Sequence, residues 1–299
     1  MRILSAIVLS ASLAATGSAL AEAKLDIVAT TSSMGFLART VGGDQVKVTV
    51  LAPPDRDAHS LLAKPSMMVA LRNADLLVAV GADLEIGWLP AALQSANNPK
   101  ILPGTPGYFD GGAQLDLLEK GGGADRSKGD VHPLGNPHFY LDPQRMAQLA
   151  SALAARMGKL DAAHAAPFEA NAAAFAKAVE ARLPVWKQKA AGAPGVVFYH
   201  KDGNYLAALL GVPVLGYVEP LPGIPPTASS LKDLVARLTG KRGVVIYTTF
   251  QSGDGPAVVA KSLGWGAHQL PLEVALDGDT AAYFDLIDKW VAAVASSRP

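Results

Sequence analysis

The sequence predicts an α/β protein of two lobes, each a mostly parallel sheet covered by helices, with one long helix joining them. Three observations carry this. Short β-rich runs alternate with helical patterns in the first half, and the same alternation returns in the second half. Between the two halves lies a single Ala-dense helical pattern from about residue 161 to residue 190. With 299 residues, half of them hydrophobic, the chain is long enough for one large domain or two lobes.

The elements follow in order. Residues 1–21 read as a secretory leader rather than as part of the fold. Arg2 gives a positive start, residues 3–13 are apolar apart from three serines, and Ala19-Leu20-Ala21 is an A-x-A cleavage pattern. A short membrane anchor is the alternative, but the apolar run is shorter than the roughly 20 residues a spanning helix needs. Residues 25–31, 46–51 and 75–80 are rich in Val, Leu, Ile and Thr and read as strands; 34–41 and 64–72 between them carry helical spacing. The stretch 121–135 is dense in Gly, Asp and Lys and reads as a loop. Asp142-Pro143 starts a helix, with Asp as cap and Pro at the first position.

The long pattern then begins near Asp161. Pro167 falls near its start, where it costs little, whereas Pro184 is expected to bend or end it. Such a helix spans roughly 40 Å, enough to run the height of a domain. Residues 195–199, 213–217 and 243–249 read as strands, and 231–238, 255–262 and 279–295 as helices. The boundaries expected are therefore a leader at 1–21, an N-terminal lobe at 22–160, the linking helix at 161–190 and a C-terminal lobe at 191–299. Open α/β sheets bind ligands at the carboxyl ends of their strands, so a site is expected in the cleft between the lobes.

Composition narrows the function. Twenty-six basic and 26 acidic side chains balance, which leaves no basic field for nucleic acid and no polybasic patch for anionic lipid. No cysteine is present, so disulfides, thiolate ligands, a cysteine nucleophile and lipid attachment through a cysteine are excluded from this sequence. A leader without a lipid anchor gives the expected location, the periplasm, with the protein not anchored.

Six histidines remain as chemistry-bearing residues. His59 follows a strand and a Pro-Pro turn, His138 sits in Gly135-Asn-Pro-His, and His200 ends the apolar strand Val196-Val-Phe-Tyr. All three fall on loops or strand ends of the carboxyl side, too far apart in sequence for a local finger. Three neutral imidazoles leave a tetrahedral zinc ion one open position. Taken singly, each of them reads first as an ordinary loop or core histidine, the usual case.

Four stretches in order decide the matter: Pro-Pro…Asp-Ala-His-Ser at 53–60, Gly-Asp-Val-His-Pro-Leu-Gly-Asn-Pro-His at 129–138 followed by Leu-Asp-Pro, Phe-Tyr-His-Lys-Asp-Gly-Asn-Tyr at 198–205, and Val-Glu-Pro-Leu-Pro-Gly-Ile-Pro-Pro-Thr at 218–227. In these the chain resembles the substrate-binding proteins of cluster A-I metal importers, the zinc- and manganese-binding periplasmic family related to ZnuA, over nearly its whole length. The resemblance implies two α/β lobes on one rigid backbone helix, and it places His59, His138 and His200 on the metal. Manganese and iron members of the family often carry a carboxylate where His200 stands, so three imidazoles favour zinc.

The family's fourth ligand comes from a loop after the last strand. Glu273, immediately after the strand residues, is the choice here, with Asp277, Asp279 or water as alternatives; Asp279 also suits a helix cap. His132 reads as a solvated loop histidine or a transient metal contact, and Glu219 as a turn carboxylate or the hydrogen-bond partner of a ligating histidine. His164 and His268 read as structural or surface residues. Residues 120–131 stand where zinc members often carry a His-rich loop but contain no histidine, and the family's usual Pro and Glu around the first histidine are here Ala58 and Leu61.

The function implied is capture of a zinc ion and its delivery to an ABC importer permease by a monomer, with a metallochaperone as a further partner and no catalysis. Manganese binding is the near alternative; a periplasmic zinc hydrolase or an adhesin are the alternatives from other classes. No His-Glu-x-x-His or G-x-S-x-G motif supports the hydrolase.

Overall fold

The computed structural model describes residues 24–121 and 129–298. The leader at 1–21 and residues 122–128 of the Gly-rich loop lie outside that range. Each half builds a four-stranded, wholly parallel sheet. In the first, β1 (Leu25–Ala29), β2 (Val46–Val50), β3 (Leu76–Ala79) and β4 (Tyr108–Asp110) lie in the order β2-β1-β3-β4. In the second, β5 (Val196–Phe198), β6 (Val214–Tyr217), β7 (Val244–Thr248) and β8 (Gly266–Leu270) lie in the order β6-β5-β7-β8. Strand order in both sheets reverses beside the first strand, which opens a crevice at the carboxyl ends.

The helices follow as α1 (Ser32–Gly42), α2 (Pro65–Asn73), α3 (Leu89–Ala96), α4 (Pro143–Leu160), α5 (Ala165–Ala190), α6 (Asn204–Leu210), α7 (Ala228–Leu238), α8 (Asp254–Leu263) and α9 (Thr280–Ala295). The strand period of two sorts their side chains between layers. Val28, Leu77 and Ala79 turn outward onto α2 and α3, and Val197 and Val245 turn outward onto α7 and α8. Ile27, Ala29, Leu76 and Val78 of the first sheet, with Val196, Phe198, Val244 and Ile246 of the second, turn inward. They share one continuous core with α1, α4, α5 and α9.

The long helix α5 runs through that core. Phe168, Ala172, Phe175, Val179, Trp186 and Ala190 are buried at helical spacing. Asn171 Nδ2 donates to the Val41 carbonyl (3.0 Å) in the first lobe, and Trp186 Nε1 donates to Asp288 Oδ1 (2.7 Å) on α9. Burial along its length and polar ties toward both ends make α5 a strut rather than a tether.

Several local expectations shift. The strand expected at 25–31 stops at Ala29, because Thr30 Oγ1 donates to Glu85 Oε1 (2.6 Å) and the Thr31 side chain accepts from Met34 N to cap α1. The long helix starts at Ala165, after a turn in which the His164 Nδ1 pairs with Asp161 Oδ2 (2.7 Å). It continues through Pro184 to Ala190, since Trp186 and Ala190 beyond the proline are held in the core. Asp142 caps α4 as expected, accepting from Gln144 N (2.9 Å) and Arg145 N (3.2 Å). Asp279 caps α9 through Ala282 N (2.9 Å). Among the described residues no helix is long and apolar enough to cross a membrane.

Candidate metal centre

Three segments from the carboxyl ends of the two sheets bring histidines together. His59 lies in a single 3-10 turn, Ala58–Ser60, past β2. Asp57 caps that turn by accepting from the His59 N–H (2.9 Å), and Trp88 Nε1 fastens it by donating to the Ala58 carbonyl (2.8 Å). His138 precedes the turn Phe139–Leu141 and donates its N–H to Asn136 Oδ1 (2.9 Å). His200 follows β5, whose course is prolonged by the Tyr199 N–H donating to the Ile246 carbonyl (3.0 Å). His138 and His200 are buried, at 1 % and 6 % exposure, so their ring nitrogens need partners inside the protein.

Each of these rings has its Nδ1 engaged. His59 Nδ1 meets Asp57 Oδ1 at 2.7 Å, His200 Nδ1 meets Glu219 Oε2 at 2.9 Å, and His138 Nδ1 meets the Tyr140 hydroxyl at 2.9 Å. An ionised carboxylate only accepts, so His59 and His200 carry their proton on Nδ1 and turn the Nε2 lone pair inward. His138 Nε2 lies 3.1 Å from His200 Nε2. Ring centres of His59, His138 and His200 are separated by 5.1, 5.5 and 5.0 Å. His138 joins two groups of donor atoms, each within 4.8 Å: His59 and His132 on one side, His200 and Asp202 on the other. Such second partners on Nδ1 are what orients a metal-binding imidazole and raises its basicity.

The three rings line a cavity of about 210 Å³ together with Asp202, Tyr199 and Glu273. Asp202, two residues beyond His200, is buried at 3 %; its Oδ1 lies 3.8 Å from His138 Nδ1 and its Oδ2 accepts from Gln251 Nε2 (2.9 Å). Its ligand-type atom clusters with those of His138 and His200 within 4.8 Å. Sequence reasoning passed over Asp202, although it stands inside the Tyr-His-Lys-Asp-Gly stretch. Glu273 is also buried on the cavity wall, where its Oε2 accepts from the Ser33 N–H (2.7 Å) at the start of α1. It is not among the donor atoms that cluster with the histidines. His132, read as a solvated loop histidine or a transient metal contact, lies beside these rings: its Nε2 is 3.1 Å from His59 Nε2 and its donor atom groups with those of His59 and His138. His268 pairs through Nε2 with Ser296 Oγ (2.9 Å) on the surface, away from these rings.

Burial sets the electrostatics. It holds His138 well below the ordinary imidazole range, and the neighbouring His200 and His59 push in the same direction. For His200, burial alone would lower the value, but the Glu219 hydrogen bond and the carboxylates of Asp202, Glu219 and Asp57 outweigh it, and the group is raised. Asp57 is likewise opposed by burial yet held low by His59. Burial raises Asp202, and it raises Glu273 to about 7 against the Ser33 hydrogen bonds. A larger cavity of about 550 Å³ lies along α3, among Leu89, Leu93, Leu102 and Tyr108, and no histidine lines it. The Glu85 carboxylate beside it is taken up by Thr30, Val80 and Gly81.

Comparison with known proteins places this geometry. A family model described as ZnuA, zinc-uptake complex component A periplasmic, matches residues 27–297. The high-affinity zinc uptake system protein ZnuA of Yersinia pestis is 26% identical over 247 residues, 78% of this chain and 77% of that protein. The metal ABC transporter substrate-binding lipoprotein ScbA of Streptococcus cristatus is 25% identical over 242 residues, 79% of this chain and 75% of that protein. A crystal structure of ZnuA superposes with a TM-score of 0.74 at 24% identity, covering 90% of this chain and 99% of that one, which supports the two-lobed fold. Other relatives are named for manganese and for iron.

These relatives correct one expectation. A periplasmic protein without a lipid anchor was inferred from the leader and the missing cysteine, but several streptococcal relatives are named lipoproteins. An extracytoplasmic location stands; the unanchored state does not. The leader expected at 1–21 lies outside the described residues. With the family model spanning both lobes and all the converging histidines, the chain belongs to the ZnuA family of metal-binding substrate-binding proteins, which serve ABC importer permeases and are not enzymes.

Proposed function

We propose that this protein captures a zinc ion in the cleft between its lobes, on the Nε2 atoms of His59, His138 and His200, and hands it to the permease of an ABC importer. The observation that carries this reading is the convergence of three imidazoles from three distant segments, each with its Nδ1 already engaged. Nitrogen-rich donor sets suit zinc, whereas manganese prefers oxygen. The carboxylates at hand are partly committed: Asp202 Oδ2 accepts from Gln251 and Glu273 Oε2 accepts from Ser33. The shared core through α5 and α9 limits lobe motion, so capture and release fall to the loops at the cleft.

Calorimetric titration of chelator-stripped protein with zinc and with manganese tests the proposal. Zinc is expected to bind at one site and more tightly than manganese. His138→Ala and His200→Ala are each expected to abolish tight zinc binding while circular dichroism shows the fold retained. Zinc titrations of both variants that match the wild type would overturn the assignment, and tighter manganese binding would overturn the choice of metal.

A further inference from the structure

The family's pattern puts the fourth donor on the loop after the last strand, yet the geometry here points elsewhere. We propose that His132 is the fourth metal ligand, closing a four-imidazole site with His59, His138 and His200; this rests on the zinc reading above. Four imidazoles bound to one tetrahedral zinc at about 2.0–2.1 Å place neighbouring nitrogens about 3.3 Å apart and ring centres about 5.2 Å apart. The observed Nε2 separations are 3.1 Å for His59–His132 and 3.1 Å for His138–His200. The ring-centre distance is 5.2 Å for His59–His132, against 5.0 to 5.5 Å among the other three. His132–His138 is longer, at 6.2 Å, and the donor atoms of His132 and His200 fall in separate groups, so the loop carrying His132 must move toward His200 for all four rings to share one ion.

The loop is built to hold that ring. The Asp130 N–H donates to the Pro222 carbonyl (2.8 Å), the Gly121 N–H to Pro133 (3.1 Å), the Gly135 N–H to His132 (3.0 Å) and the Asn136 N–H to Leu118 (2.8 Å). The contact with Pro222 needs two glycines in the left-handed region. A Cβ on Gly129 (φ +107°) would lie 2.0 Å from the Pro222 carbonyl oxygen, and one on Gly223 (φ +75°) would lie 2.3 Å from Asp130 Oδ2. The loop carrying His132 is thus interlocked with the turn that begins at Glu219, the residue holding His200. Four neutral imidazoles leave the dication's charge intact, and the two carboxylates behind the site, Asp57 on His59 and Glu219 on His200, balance it. No carboxylate need bind the metal directly.

Zinc K-edge absorption of the zinc-loaded protein, with competition titration against a chromophoric chelator, tests this. The wild type is expected to show four imidazole nitrogens. His132→Ala is expected to show three, with zinc affinity reduced by about 10-fold or more, and its thermal unfolding in the metal-free state is expected to match the wild type. A wild-type spectrum with three imidazoles and a carboxylate oxygen, or a variant whose spectrum and affinity equal the wild type, would overturn the proposal. His200→Ala runs beside it: if that variant binds zinc as the wild type does, the underlying site assignment fails, whereas an effect on His200→Ala with none on His132→Ala removes His132 alone.

Discussion

Replacing Glu219 by alanine isolates what a carboxylate behind a ligand is worth. Its Oε2 accepts from His200 Nδ1 at 2.9 Å and from the Gly223 N–H at 3.1 Å, and the residue is fixed by its own N–H donating to the Tyr199 carbonyl at 3.0 Å. Losing the acceptor frees the His200 ring to rotate and removes a negative charge that opposes the cation. Partners of this kind are worth about 10- to 100-fold in metal affinity, or about 1.4 to 2.8 kcal/mol.

The pH dependence gives the sign. In the intact protein His200 is held above the ordinary imidazole value, burial being outweighed by Glu219 and the neighbouring acids, so protons compete with the metal as pH falls. Without Glu219 the largest remaining influence is burial, which lowers His200 and weakens that competition. The affinity gap between variant and wild type is therefore expected to be widest near pH 7.5 and to narrow toward pH 5.5. Zinc competition titrations at both pH values measure it. A gap that widens toward acid, or no gap at pH 7.5, refutes the role given to Glu219.

Three further outcomes concern stability, in protein stripped of metal. Burial holds Glu273 at about 7 against an ordinary 4.5, so between those values the folded chain retains a proton that the unfolded chain has released, and stability falls as pH rises through that window. Glu273→Gln removes this dependence: its urea-unfolding stability relative to wild type is expected to improve by about 2–3 kcal/mol from pH 5 to pH 8, and an unchanged difference contradicts the account. Glu85 accepts from the Thr30 hydroxyl and the Val80 and Gly81 N–H groups, so Glu85→Gln turns an amide N–H₂ toward a donor and is expected to cost about 1–3 kcal/mol; equal stability to wild type contradicts this. Trp186→Ala, at 1 % exposure in the core between α5 and α9, is expected to cost about 3–5 kcal/mol in the same assay, and a loss under about 1 kcal/mol would show that α5 is not held there.

What the sequence reveals follows the physics of each level. Parallel strands buried on both faces read as runs of Val, Ile and Leu, which is why 243–249 marks β7 closely, whereas the edge strand β2 is marked by the alternating Val46, Val48 and Val50. The three-residue β4 and seven-residue α6 are too short to show a period, and Pro90 inside α3 reads as a breaker although it falls in the first turn. Pro184 misleads for the opposite reason: local propensity forbids what the buried Trp186 and Ala190 enforce. At the site, His59, His138 and His200 stand out through family resemblance, since nothing local joins residues so far apart. His132 reads no further than a loop histidine or a transient metal contact, because its place beside His59 depends on the Asp130–Pro222 contact between segments some ninety residues apart, a tertiary fact. Asp57 has a local signal, a carboxylate two residues before a histidine, which a turn can fold back onto the ring.

The most direct measurement is a zinc-loaded crystal structure with anomalous diffraction recorded on either side of the zinc edge. One strong peak is expected in the cleft, about 2.0–2.1 Å from the Nε2 atoms of His59, His138 and His200. A peak on other residues, or one bonded to fewer than all three of these nitrogens, would contradict the claim that they share a single ion.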